Sequence, residues 1–350
     1  MRPSPLAATT LLIAAAASSF AQGPYKVLKT VKVGGDGGFD YVQADSAGRR
    51  LYVPRTGPTP RINVFNLDTL EPVGEIANTN ARGAAVDTKS SHAFATSKPV
   101  AMWDSKTLAP IKTIEVEGGP DGLIADPFNN RVYILSHRAP NTTVINAADG
   151  AVLGTIDLEG APEQAATDGR GHLYVAIEDK DNVAVIDAKT MKVTAHYSLD
   201  GKGGTCAGLS LDAKNDILFV ACRQPAVVVV MSAKDGKIIT TLPIGTGVDG
   251  SAFNPATMEL FTSQGDGSLT VIKENSPTSF EVEQTIKTMP GAKTMTLDTK
   301  TGQVYLIAAE YGPPPAPVAA PAAPPAGGRG RGPGRGPMLP GSFSIIVVGK

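Results

Sequence analysis

One aromatic position recurs through this chain at a nearly constant interval. Tyr52, Phe94, Tyr133, Tyr174, Phe219, Phe261 and Tyr305 each sit second in a short triplet such as LYV, AFA or LFT, at spacings of 42, 39, 41, 45, 42 and 44 residues. A unit of about forty residues is the length of one four-stranded propeller blade. Each copy opens with a glycine- or proline-rich joint, as at Gly118-Gly119-Pro120-Asp121-Gly122. A short apolar strand follows and ends near Asp45, Asp87, Asp126, Asp168, Asp212, Asn254 or Asp298, in that order through the seven copies. A tight turn then leads into the aromatic strand, and two further β-rich runs complete the unit. Such runs, bounded by turn residues, read as strands, and no segment carries a sustained helical period with caps.

The ends of the chain decide how the repeats are joined. The seventh copy stops after its third strand, Ser344-Ile345-Ile346-Val347-Val348, and lacks a fourth. Residues 26–33, KVLKTVKV, precede the first copy and match the fourth strands KIITTLPI (237–244) and PIKTIEV (110–116) in pattern. The expectation is an all-β, seven-bladed β-propeller of four-stranded antiparallel blades, closed by the N-terminal strand completing the last blade. Closure pairs two edges that would otherwise invite aggregation. Repeats such as His172-Leu173-Tyr174-Val175-Ala176 followed by Asn182-Val183-Ala184-Val185-Ile186-Asp187 resemble the YVTN-repeat β-propeller family. The resemblance covers nearly all of the chain after the leader. It implies the fold and export, and its marker residues build blades without carrying chemistry.

Residues 1–21 read as a signal peptide: Arg2, an apolar run from Leu6 to Ala17, then Ser19-Phe20-Ala21 at a cleavage site, so that Gln22 begins a periplasmic or secreted protein. The remaining chain, 22–350, reads as one propeller domain, and the mature chain holds no transmembrane segment. Residues 312–341 form a Pro/Ala/Gly/Arg-rich insert in the last blade, expected to be a disordered loop, with Arg329, Arg331 and Arg335 and no acid. A formal net charge of −1 carries no nucleic-acid footprint.

Joint loops and the loops after the aromatic strands share one face of a propeller, around the channel mouth, and loops there carry binding residues. Five residues before each strand-ending Asp or Asn stand Asp40, Arg82, Asp121, Glu163, Ala207, Asp249 and Lys293. Signs alternate around most of this ring, which suits pairing within the protein. Asp121 and Glu163 break the alternation, and two adjacent carboxylates call for a proton or a cation such as Ca2+ between them. No cofactor is otherwise expected. The loops beyond the aromatic strands add Arg55, Lys98, His137, Arg138, Glu178, Arg223, Gln264, Glu310 and Tyr311. His137 is the one histidine of four that falls on this face, and no histidine pair has the spacing of a zinc or copper site.

Cys206 begins the first strand of the fifth copy and Cys222 ends the second. If Leu211 faces Ile217 across the turn at Lys214-Asn215, the indices sum to 428, as do those of the two cysteines, which predicts direct opposition and a disulfide.

Two functions fit a polar mouth without a recognisable nucleophile or dinucleotide motif. The first is a non-catalytic binding or scaffold module for a protein, peptide or small polar ligand, with Asp40, Arg82, Asp121, Glu163, Asp249, Lys293, Arg55 and Arg223 as ligand-binding candidates. The second is a lactonase- or lyase-type enzyme with a central acid/His/Arg site, for which Glu163, His137 and Arg138 are the catalytic candidates and Asp121 and Glu163 the metal candidates.

Overall fold

A computed structural model describes residues 23–314 and 336–350. All regular structure among them is β, in seven separate four-stranded antiparallel sheets. Six sheets run in simple sequence order. The seventh is ordered with Lys26–Lys32 outermost, then Ser344–Gly349, Gln303–Ala308 and, innermost, Met295–Asp298. The N-terminal strand therefore completes the last blade. Tyr25, just before it, reaches on into blade six: its backbone exchanges hydrogen bonds with the Gln284 amide at 3.0 and 2.7 Å, its ring packs edge-on against Phe261, and its hydroxyl donates to Glu259.

Each blade buries its second and third strands against both neighbours, so those strands are near-continuous apolar runs such as LFVAC and VVVVM. The outer strands are the most exposed of each blade, and residues of the inner ones line the channel. The recurring aromatics are the core pegs, all seven at most 4 % exposed. Three tyrosines also tie blade to blade: Tyr52 donates to the carbonyl of Ser105, Tyr174 to that of Ala233, and Tyr305 to that of Leu67. The acids at the ends of the first strands close the next turn, as when Asp87 accepts from the amide and hydroxyl of Ser90, and Asp212 from the amide of Lys214. These are Asx turns, the local bond that makes Asp and Asn the residues of choice there.

Cys206 and Cys222 form a disulfide. They are paired as expected, but by another register. Leu211 faces Leu218, and Asp212 faces Ile217; a β-bulge between Cys206 and Gly208 then absorbs one residue and returns Cys206 to Cys222. Replacing both cysteines by serine should lower unfolding stability by about 3 kcal/mol, the effect expected for a loop of this length. Urea titrations of the double variant and of the native protein, with and without reductant, check it: the variant should be weaker and insensitive to reductant.

Between blades five and six, two buried carboxyl groups meet. Glu274 takes the amide of Asn215 at 2.8 Å and lies beside Asp212, both at most 3 % exposed. Burial, and then Asp212, push the Glu274 carboxyl up to about 7 from 4.5. The folded state therefore holds a proton that the unfolded chain releases near pH 4.5. Stability should be full below that pH and fall as pH rises through about 7. Glu274→Gln should flatten this dependence and raise the melting temperature at pH 8 above that of the native protein, as read by thermal melts from pH 4 to 8.

The segments expected to be a leader, 1–21, and most of the insert at 312–341 lie outside the described residues. The two ends of the insert are held together: the Gly312 amide bonds to the carbonyl of Pro337 at 2.9 Å and that of Leu339 to the carbonyl of Glu310 at 2.9 Å. No helix among the described residues is long and apolar enough to cross a membrane.

Candidate functional site

The channel mouth is built by a repeated irregularity. In blades three to six the first strand slips register by one residue across 120–123, 162–165, 206–208 and 248–250. The interrupted residues include Asp121, Glu163, Ala207 and Asp249. A bulge leaves one residue out of the ladder and re-aims its side chain, and here it turns the ring position toward the channel. The residues that follow the paired ends of the second strands form an outer tier at equivalent positions: His137, Glu178 and Arg223 in blades three, four and five.

The two tiers lock together. His137 Nε2 lies 3.1 Å from Glu178 Oε2 and 3.6 Å from Glu163 Oε1. The Arg223 guanidinium bridges Glu178 and Asp249, and its Nε donates to the carbonyl of Val248 at 3.0 Å. Lys293 joins the far side of Asp249. Blade five can carry Ala207 at the ring because Arg223 supplies its charge. Burial alone would lower the Arg223 pKa, but the carboxylates of Asp249, Glu163 and Glu178 raise it. Across the mouth, Arg82 Nη1 lies 3.2 Å from Asp40 and 3.4 Å from Asp121. Burial, then the charge of Asp249, push the Asp40 carboxyl up to about 6.

Tyr41 closes the ring from inside. Its hydroxyl donates to Glu163 Oε2 at 3.3 Å, reaching from blade one to blade four. The side chain passes close to the equivalent residues of blades two and three, Gly83 and Gly122; a Cβ at Gly122 would be in contact with the Tyr41 oxygen at 3.6 Å, and one at Gly83 with the Tyr41 Cβ at 3.5 Å. Burial, then Glu163 and the neighbouring acids, push the Tyr41 phenol well above its usual pKa, so it remains a donor. Beneath lies a channel cavity of about 340 Å³. Gln164 braces it by accepting from the amides of Leu209 and Ser251 at 3.0 and 3.1 Å and donating to the carbonyl of Ser251 at 3.0 Å.

The structure thus places Asp40, Arg82, Asp121, Glu163, Asp249, Lys293 and Arg223 at the mouth, and His137 beside Glu163. Arg138 is exposed on the rim, over Gly119. Arg55 lies elsewhere: it is fully buried, 3.7 Å over the Phe343 ring, and its guanidinium donates to the carbonyls of Gly34 and Gly37. It presents no surface to a ligand, and burial pulls its pKa down to about 10. Asp121 and Glu163, expected to share a cation, have separate partners in Arg82 and in His137 with Tyr41. Among the described residues the group able to hold a metal ion is instead His137, Glu163 and Glu178, whose ligating atoms all lie within 4.8 Å of one another.

No family model matches the chain. Two curated proteins, each described as uncharacterized protein YncE, from Salmonella typhi and Salmonella typhimurium strain LT2, are 25 % identical over 195 residues, 52 % of this chain and 53 % of theirs. The chain spans about half the length of these relatives. Among solved structures, the WD40 repeats of RRP9 superpose with a TM-score of 0.71 at 11 % identity, over 94 % of this chain and 99 % of that one. A chain of the mitotic checkpoint complex superposes with a TM-score of 0.70 at 11 % identity, over 87 % and 95 %. The likeness to these two is one of fold.

Proposed function

We propose that this is an exported propeller of the YVTN-repeat type whose channel mouth is a small-molecule site for lactonase- or lyase-type chemistry, centred on Glu163, His137 and Glu178 and able to hold a divalent cation. The observation that carries the reading is a single imidazole nitrogen set between two carboxylates in a largely buried cluster. Arg223 and the Tyr41 hydroxyl offset part of the charge of the two carboxylates, and a divalent ion between them would offset the rest. Glu163, buried and flanked by the Tyr41 hydroxyl and His137, is placed to take a proton from a substrate or from its attacking water. His137 is placed to carry that proton toward Glu178, which Arg223 holds in position. Arg138, exposed at the rim, is the group for a developing anion. The donor set fits a divalent ion: one imidazole and two carboxylates suit zinc, manganese or iron, while Ca2+ would use the carboxylates and need further carbonyl or water oxygens. Such an ion, when bound, would polarise a carbonyl oxygen.

The chain of ion pairs from Lys293 through Asp249 and Arg223 to Glu178 favours a second reading, a non-catalytic binding module whose mouth charges mainly hold blades together. Native mass spectrometry and calorimetry with Ca2+, Mn2+ and Zn2+, followed by a panel of lactones, separate the two. A stoichiometric ion lost in His137→Ala, with lactone turnover, supports the enzyme; neither ion nor turnover leaves the binding module. The reading as an exported protein, with 1–21 as leader, predicts a purified mature chain beginning at Gln22, as read by N-terminal sequencing.

A further inference from the structure

An open groove away from the His137 cluster, between blades one and two, has a volume of about 640 Å³, within the usual range for small-molecule sites. Its walls come from the joints at 38–40 and 78–82, the loop at 96–99, Thr113 and the start of blade three. Three kinds of group meet there. Arg82, from the joint before blade two, and Lys98, from a loop of the same blade, supply positive charge, against one lining carboxylate, Asp40. Asn78, Asn80 and Thr113 present exposed amides and a hydroxyl. Phe39 and Pro99 offer flat apolar surface.

We propose that this groove binds a hydroxyl-rich carboxylate, an acidic sugar or a compound of that class, with Arg82 and Lys98 on the carboxylate and the amide and hydroxyl side chains on the hydroxyls. Arg82 is already oriented for the task. One nitrogen is anchored by Asp40 and Asp121, and the side chain remains 46 % exposed, so the rest of a planar, forked donor faces outward. The Lys98 ammonium is held by the carbonyl of Gly118 at 2.6 Å, which positions the second charge of the groove. Neutral amides and hydroxyls can donate and accept at once, the property that alternating sugar hydroxyls require. A neutral sugar would gain no charge-assisted bond from Lys98 or from the outward nitrogens of Arg82. The groove's lining is separate from His137, Glu163 and Glu178, so this site stands whether or not that cluster holds an ion.

The probes are digalacturonate and the uncharged disaccharide maltose, titrated calorimetrically into the mature protein in the presence of EDTA. Digalacturonate should bind saturably, and maltose at least about tenfold more weakly, the worth of one charge-assisted pair. Lys98→Ala should cost a similar factor. Thr113→Trp, which fills the groove without touching an ion pair, should abolish binding while leaving the melting temperature and, in EDTA-free buffer, the Mn2+ titration unchanged. Absence of saturable binding, equal affinity for maltose, or indifference to both variants would overturn the proposal. Loss of Mn2+ binding in His137→Ala alone tests the cluster and not the groove.

Discussion

Glu163→Gln should remove ion binding at the mouth and, with it, any acid–base turnover, while the propeller stays folded. The carboxylate joins the cluster to the channel: Oε1 faces His137 and Oε2 takes the Tyr41 hydroxyl. A carboxamide keeps its shape but puts an NH2 group where an acceptor is needed. Loss of a general base costs about 10²–10⁴-fold in rate. Loss of a direct ligand should weaken a metal at least as much as loss of a group that only orients one, about a hundredfold. Stability should not fall. The carboxamide oxygen can still accept the Tyr41 hydroxyl, so the contact from blade one to blade four is kept. Mn2+ calorimetry and thermal melts of this single variant check both parts. An unchanged affinity would place any bound ion away from His137, and a collapse in melting temperature would make Glu163 a structural brace.

The architecture was legible because it repeats. A blade is a local unit, so its aromatic peg, its turn acid and its joint recur at fixed offsets, and the odd strand at each end can only pair with the other. Counting back from the turn acids also reached Asp121, Glu163 and Asp249, because the bulges that aim them fall at one offset in blades three to six. The cysteine pair was reached through a register one residue out, since the bulge before Gly208 leaves no signature in residue type. The cluster itself was less visible. Glu178 was noticed on the rim but not joined to Glu163, because their meeting depends on the pairing of Pro162 with Ile177 and on the bulge that follows it, which residue type does not reveal. Tyr41 was missed, although a signal existed. The residues that follow the ring positions are Tyr41, Gly83, Gly122, Gln164, Gly208, Gly250 and Thr294. Four glycines with one tyrosine and one glutamine describe a channel in which two long side chains occupy space the others vacate.

Removal of residues 23–33 should open the ring. The closing strand is mostly exposed on its outer face, so its own apolar burial is modest. What it protects is larger. It pairs along Ser344–Gly349, every residue of which is buried, and Val31 and Val33 pack against the core that holds Tyr305, Ile345 and Phe343. Without it, that strand becomes a long, flat apolar edge, the kind that pairs with another chain. Tyr25 extends the clasp into blade six, where its hydroxyl bonds Glu259 and Lys350 sits 3.0 Å from the same carboxyl group. Tyr25→Ala alone should cost about 3–5 kcal/mol, as for other large buried aromatics. The truncated chain should elute as oligomers or aggregate and lose its cooperative melt, whereas Tyr25→Ala should stay monomeric with a lowered melting temperature. Light scattering after size exclusion, with calorimetric melts, reads both. A truncated chain that remained monomeric and melted cooperatively at the native temperature would show that the seventh blade holds with three strands, and that closure is needed neither to protect the edge nor to stabilise the ring.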